Sequence, residues 1–128
     1  AMNKILLVAL GGAAGSVARY MLGGQTLRWF GPGWPYGTFA ANVIGGFLIG
    51  SLAGFLAFRG DADQQRLRLL LQVGVLGGFT TFSAYSLETA LMIERKAYGP
   101  AAAYATASVV ASVTAVFLGL MLARRVFA

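Results

Sequence analysis

Gly74-Val75-Leu76-Gly77-Gly78-Phe79-Thr80-Thr81-Phe82-Ser83-Ala84-Tyr85-Ser86 is the stretch on which the fold turns. It lies inside an apolar run from Leu67 to Ile93. A bilayer core about 30 Å thick takes about 20 mostly apolar helical residues to cross. Two adjacent glycines followed by two threonines, in the middle of such a run, invite a break in the helix. Unwound backbone at membrane depth persists only where it is buried in protein or lines a cavity. There its carbonyls can hold a cation, and its N–H groups and helix ends can face an anion. A plain kink is the simpler alternative.

Outward from this stretch, three more segments reach spanning length: Ile5 to Leu22, Thr38 to Phe58 and Ala101 to Leu122. The expected fold is therefore an all-α membrane protein, a single four-helix transmembrane domain over residues 1–128 with its third helix broken. Composition agrees. The hydrophobic fraction is 58 %, the charged fraction only 11 %, and the mean hydropathy +0.72, where soluble domains carry about 25 % charged residues. The first segment ends in Arg19-Tyr20-Met21-Leu22-Gly23-Gly24 without a small-residue cleavage pattern, so it is kept as a span and not read as a signal peptide. Gly31-Pro32-Gly33-Trp34-Pro35-Tyr36-Gly37 is dense in turn formers. Trp29, Trp34 and Tyr36 fit an interfacial aromatic belt. The polar stretch from Arg59 to Arg68 reads as an exposed loop and a helix start, and Tyr98-Gly99-Pro100 as the separator of the last two spans.

The net charge is +6. The basic residues flank apolar runs, where they anchor helices at lipid headgroups, and this placement argues against nucleic acid. With an even number of spans, one side carries Lys4, Arg59, Arg66, Arg68, Arg124 and Arg125, the other Arg19, Arg28, Arg95 and Lys96. So weak a bias suits equally a chain with its termini inside and one that inserts both ways. Glycines at every fourth position (Gly46, Gly50, Gly54; Gly11, Gly15) let helices approach closely in lipid. Four short helices also suggest oligomerisation.

Several catalytic classes drop out. There is no cysteine and no histidine, and the only acids are Asp61, Asp63, Glu88 and Glu94. Thiolate, imidazole and ordinary zinc chemistry are absent, and an enzyme is not expected. Polar groups within lipid each need a reason. Asn42 either bonds a neighbouring helix or aims a donor at a dehydrated anion. Arg19, near the end of the first segment, either snorkels to the interface or gathers anions at a vestibule. Phe82 and Tyr85, three apart, share a helical face. They are core rings or supply positive ring edges to an anion path. Ser83 and Ser86 add donors, and Glu88 follows within a turn. Tyr104, Ser108 and Ser112 form one hydroxyl stripe on the fourth segment, a track for a polar permeant unless the serines bond back to their own helix.

Three motifs carry a resemblance: Gly37-Thr38-Phe39-Ala40-Ala41-Asn42-Val43-Ile44-Gly45-Gly46, Gly77 to Glu88, and Gly15-Ser16-Val17-Ala18-Arg19-Tyr20. The chain resembles the Fluc (CrcB-type) fluoride channels over essentially its whole length. The resemblance implies an antiparallel, dual-topology homodimer in the cytoplasmic (inner) membrane, with two fluoride pores to which both subunits contribute. It also implies a central structural sodium ion held by backbone carbonyls, which fall here on Gly77 and Thr80. The pore asparagine falls on Asn42, the pore phenylalanine pair on Phe82 and Tyr85, the polar track on Tyr104, Ser108 and Ser112, and the vestibule arginine on Arg19. Ser83 and Thr38 are counted with them. Tyr85 departs from the usual phenylalanine, and its hydroxyl is expected either to donate to fluoride or to narrow the path. Ala84 stands where threonine is common. The rivals are a small proton-coupled multidrug exporter, which needs a carboxylate that Ile5–Leu22 lacks, and a non-conducting membrane scaffold.

Overall fold

The structure is a computed structural model, and it describes residues 2–59 and 64–128. Asp61 and Asp63, and with them most of the loop expected after Arg59, lie outside the described residues. The described residues form α1 (Met2–Phe30), α2 (Tyr36–Arg59), α3 (residues 65–79), α4 (Ser83–Glu94) and α5 (Tyr98–Phe127). α3 and α4 are the two halves of the broken third span. Taken with that span, four stretches are long and apolar enough to cross a membrane.

The helices outrun the apolar segments. α1 continues to Phe30, eight residues past the expected end at Leu22. Hydrocarbon thickness limits the apolar stretch, whereas backbone hydrogen bonding carries the helix on into the interface. Arg19 therefore sits well inside α1 and not near its end. Gly31 closes α1 in the left-handed conformation, φ 79°, with its N–H on the Leu27 carbonyl at 2.8 Å.

The separator expected at Tyr98-Gly99-Pro100 is instead the first turn of α5. Proline is accepted there because the first N–H groups of a helix lack intrahelical partners. The reversal lies one step earlier. Lys96 takes φ 62°, its N–H bonds Ile93 at 2.9 Å, and the Ala97 N–H bonds Met92 at 2.8 Å. This 6→1 and 5→2 pair is a Schellman ending with lysine in the usual glycine place.

α2 is the spine of the chain and packs along α5, while α1 packs along α3. Both contacts are made by small residues. A Cβ added at Gly50 would overlap the Val116 carbonyl, and one at Gly119 would overlap the Phe47 carbonyl. On the other seam a Cβ at Gly78 would come 2.6 Å from the Gly12 carbonyl oxygen. Backbone-to-backbone approach of this kind is the main source of helix association where no hydrophobic drive exists.

The break is displaced from the glycines. Gly77 keeps helical angles, φ −63° and ψ −37°, and the chain opens at Thr80, φ −83° and ψ 157°. Gly77 and Gly78 remain in the helix, with Gly78 against α1. Thr80, β-branched and tolerant of extended backbone, takes the break. Its hydroxyl donates to the Leu76 carbonyl at 3.0 Å and so finishes the last turn. Arg68–Leu76 of α3 is π-helical, a widening that the sequence pattern did not foretell.

Candidate functional site: a hydroxyl-lined cavity at the helix break

The break, α2 and α5 border an open cavity of about 320 Å³, lined among others by Asn42, Thr80, Phe82, Tyr85, Ser108 and Ser112. Two of the three motifs and the hydroxyl stripe of α5 therefore meet at one place. Phe82 and Tyr85 stand side by side, ring centroids 5.5 Å apart and planes at 45°. Phe82 is 76 % exposed, so its ring is held by little of the chain around it.

The polar stripe of α5 divides in two. Tyr104 is fully buried, and its hydroxyl donates to Glu88 Oε1 at 2.9 Å. Its ring packs on Trp34 and Tyr85, at 5.1 and 5.4 Å between centroids. Ser108 and Ser112 line the cavity. Ser108 Oγ is buried and has no hydrogen-bond partner among the described residues. Ser51, Thr80 and Thr89 all bond back to the carbonyl four residues earlier, the usual fate of a hydroxyl on a helix. Ser108 does not; its hydroxyl interacts with the Tyr104 phenol one turn earlier and meets no partner at full hydrogen-bond geometry among the described residues.

Other donors are already engaged. The Tyr85 hydroxyl, expected to meet the permeant or narrow its path, donates to the Ala105 carbonyl at 3.2 Å. Thr38 donates to Glu88 Oε2 at 3.0 Å. Glu88 thus ties α2 to α5 through two hydroxyls and borders a second cavity of about 340 Å³, toward the α1–α2 turn, with Thr38 and Arg95. Asn42 Nδ2 donates to the Thr81 carbonyl at 2.9 Å, and the Thr81 N–H donates to Asn42 Oδ1 at 2.8 Å. Arg19 Nε donates to the Gly78 carbonyl at 3.4 Å. Ser83 and Thr81 hydroxyls lie 3.2 Å apart.

The backbone at the break can be accounted for group by group. The Gly78 and Thr81 carbonyls are taken by Arg19 and Asn42. The carbonyls of Gly77, Phe79 and Thr80 receive no donor among the described residues, and the amides of Phe82 and Ser83 reach no protein acceptor there. One short segment therefore offers both unpaired oxygens and unpaired N–H groups.

Residues 6–120 match the family described as CrcB-like protein, Camphor Resistance (CrcB). The chain belongs to the CrcB family. CrcB relatives named "Fluoride-specific ion channel FluC" share its full length. That of Phenylobacterium zucineum (strain HLK1) is 71 % identical over 127 residues, covering 99 % of this chain and 100 % of the relative. That of Caulobacter sp. (strain K31) is 64 % identical over 126 residues, 98 % of each. That of Agrobacterium fabrum (strain C58) is 51 % identical over 126 residues, 98 % of this chain and 100 % of the relative.

Within this CrcB chain, sequence reasoning picked out Glu88 without a task. Its spacing from Thr38 and Tyr104 gives no local signal, because the three meet only after α2, α4 and α5 pack. The contact of Arg19 with Gly78 likewise joins helices far apart in the chain. Only the fact that Arg19 interrupts an apolar span could have pointed to it.

Proposed function

We propose that this CrcB-family chain is a fluoride-selective channel. The observation that carries the reading is the buried hydroxyl of Ser108, without a hydrogen-bond partner among the described residues, at a cavity it shares with Asn42, Phe82 and Ser112. Fluoride is small and strongly hydrated. To shed water it needs fixed donors, and to leave again it must find the next site no better than the last. The hydroxyls of Ser108 and Ser112, the second amide hydrogen of Asn42 and the edges of Phe82 and Tyr85 provide such a sequence. Tyr104 and Thr38 spend their hydroxyl hydrogens on Glu88, so they border the path toward the second cavity without adding donors to it. Arg19 keeps a positive charge at the break, which raises the local concentration of anions. No bond is made or broken in permeation.

The assembly belongs to the same proposal: an antiparallel, dual-topology homodimer in the cytoplasmic membrane, with two pores shared between subunits. It is supported by the outward-facing Phe82 and by the weak charge asymmetry of the loops. A structural sodium ion would sit on the Gly77 and Thr80 carbonyls. The donor set fits, since both oxygens are unpaired while the neighbouring Gly78 and Thr81 oxygens are occupied, and a hard cation takes carbonyl ligands in unwound membrane helices. Bound there, the ion would neutralise the exposed carbonyl dipoles.

Efflux from liposomes holding the purified protein tests the function. Fast fluoride release without chloride release is the expected result. Release that saturates and needs a proton gradient would turn the assignment to a carrier, and no release at all would leave a scaffold. The Tyr85→Phe variant refines the path. Its lost hydroxyl bonds Ala105, a neutral hydrogen bond worth about 1 kcal/mol to stability, so fluoride efflux should stay within about twofold of the parent. A much larger change in rate would put that hydroxyl on the ion's route.

A further inference from the structure

An unbroken helix would send the Thr81 N–H to the Gly77 carbonyl. Here that N–H is taken by Asn42 Oδ1 at 2.8 Å, and the Thr81 carbonyl accepts from Asn42 Nδ2 at 2.9 Å. Both ends of one carboxamide close on both backbone groups of one residue, 39 positions away. The Thr81 hydroxyl in turn accepts the Ala84 N–H at 3.2 Å, meeting one of the unpaired donors at the start of α4. Thr81 is thus a pivot, fixed to α2 through its backbone and to α4 through its side chain. Phe82 is the next residue, and Gly77 is the carbonyl that the arrangement leaves free.

We propose that Asn42 is a positioning residue whose carboxamide splints the helix break at Thr81, so holding the Phe82 ring at the cavity and keeping the Gly77 carbonyl unpaired. The proposal deepens the channel reading and rests on it for its functional consequence, though the splint itself stands on geometry alone. A primary carboxamide suits the task because it presents a donor and an acceptor side by side. Alanine removes both. Aspartate keeps the acceptor for the Thr81 N–H but, when ionised, sets a second lone pair against the Thr81 carbonyl. When protonated it again offers one donor and one acceptor.

The test is amide hydrogen exchange across residues 77–86 in the reconstituted protein, measured beside fluoride efflux for the parent, Asn42→Ala and Asn42→Asp. In Asn42→Ala the Thr81 amide should exchange at least about tenfold faster than in the parent, the loss of a buried hydrogen bond, and efflux should fall with it. In Asn42→Asp at neutral pH the Thr81 amide should also lose protection. That protection should return as the pH is lowered through the carboxyl's titration, after correction for intrinsic exchange, while the parent shows no such step. If Asn42→Ala does not fold, this pH profile decides alone. Unchanged Thr81 protection in the variants would overturn the splint, whether efflux is lost, in which case Asn42 meets the ion only, or kept. A parent protein that passes no fluoride would refute the channel reading, and the exchange result would still decide the splint.

Discussion

Phe82→Ile abolishes fluoride efflux and leaves the protein folded, with its elution unchanged: this is the expected result with the largest functional effect. Phe82 stands at the break, lines the cavity with Ser108 and Asn42, and is 76 % exposed in the single chain. Its replacement therefore removes little packing within the subunit. Isoleucine also fills a similar apolar space. What it cannot supply is the positive ring edge that an aromatic quadrupole presents to an anion. Where water is excluded, removing one set of oriented charges is worth about 2.7–4 kcal/mol, or about 10²–10³ in rate, by analogy with donors aimed at a developing anion. Efflux of fluoride from proteoliposomes, with size-exclusion elution as the control on assembly, measures both. Undiminished flux in a well-folded variant would sink the ring-edge proposal.

The second large effect concerns the α2–α5 seam. Gly50→Leu should destabilise the chain severely, because a side chain at that position starts inside the Val116 carbonyl. The obstacle is backbone, which cannot rotate away, so the helices must separate. Overpacking of a well-packed interior costs about 1–3 kcal/mol and more where the backbone has to move. Separation would also give up the neighbouring approach of Gly119 to Phe47. Thermal unfolding in detergent should show a marked fall in midpoint, with aggregation on elution. Gly33→Ala is the control. Gly33 has open space around its Cα and no positive φ, so that variant should unfold within a few degrees of the parent. Equal stability of Gly50→Leu and the parent would mean that the seam is looser than the structure has it.

Much of the architecture was legible in the residues. Four apolar runs of spanning length, the glycine spacing on the second, and a polar interruption in the third led to four membrane-capable stretches with the third divided, and the comparison with relatives bears out the CrcB family. The errors were local. Gly77-Gly78 marked the neighbourhood of the break but not its place, since glycine there serves the approach to α1 while Thr80 opens the chain. Tyr98-Gly99-Pro100 resembled a separator because proline and glycine end helices as readily as they begin them. The left-handed turn fell on Lys96, a residue without the usual glycine signal.

The candidate site was legible as an inventory and not as an arrangement. Asn42, Glu88, Arg19 and the α5 hydroxyls stand out in sequence because polar groups are expensive in lipid. That cost says each must have a partner, and it does not say which. Tyr85 and Ser108 show the difference. Each carries one hydroxyl on an apolar helix, yet the first bonds Ala105 and the second bonds nothing among the described residues.

Taken by itself, then, the sequence determined the solvent this protein folds in, the number of its spans and the short list of groups able to do chemistry there. Those properties follow from hydropathy and spacing, which are one-dimensional. Only the tertiary structure decided which carbonyls, amides and hydroxyls are paired and which are left open at the break. Hydrogen bonding saturates, so a donor that looks available along the chain is unavailable once packing brings an acceptor to it. That pairing is settled by segments distant in sequence whose polar atoms come within 3 Å of one another, as at Asn42 and Thr81.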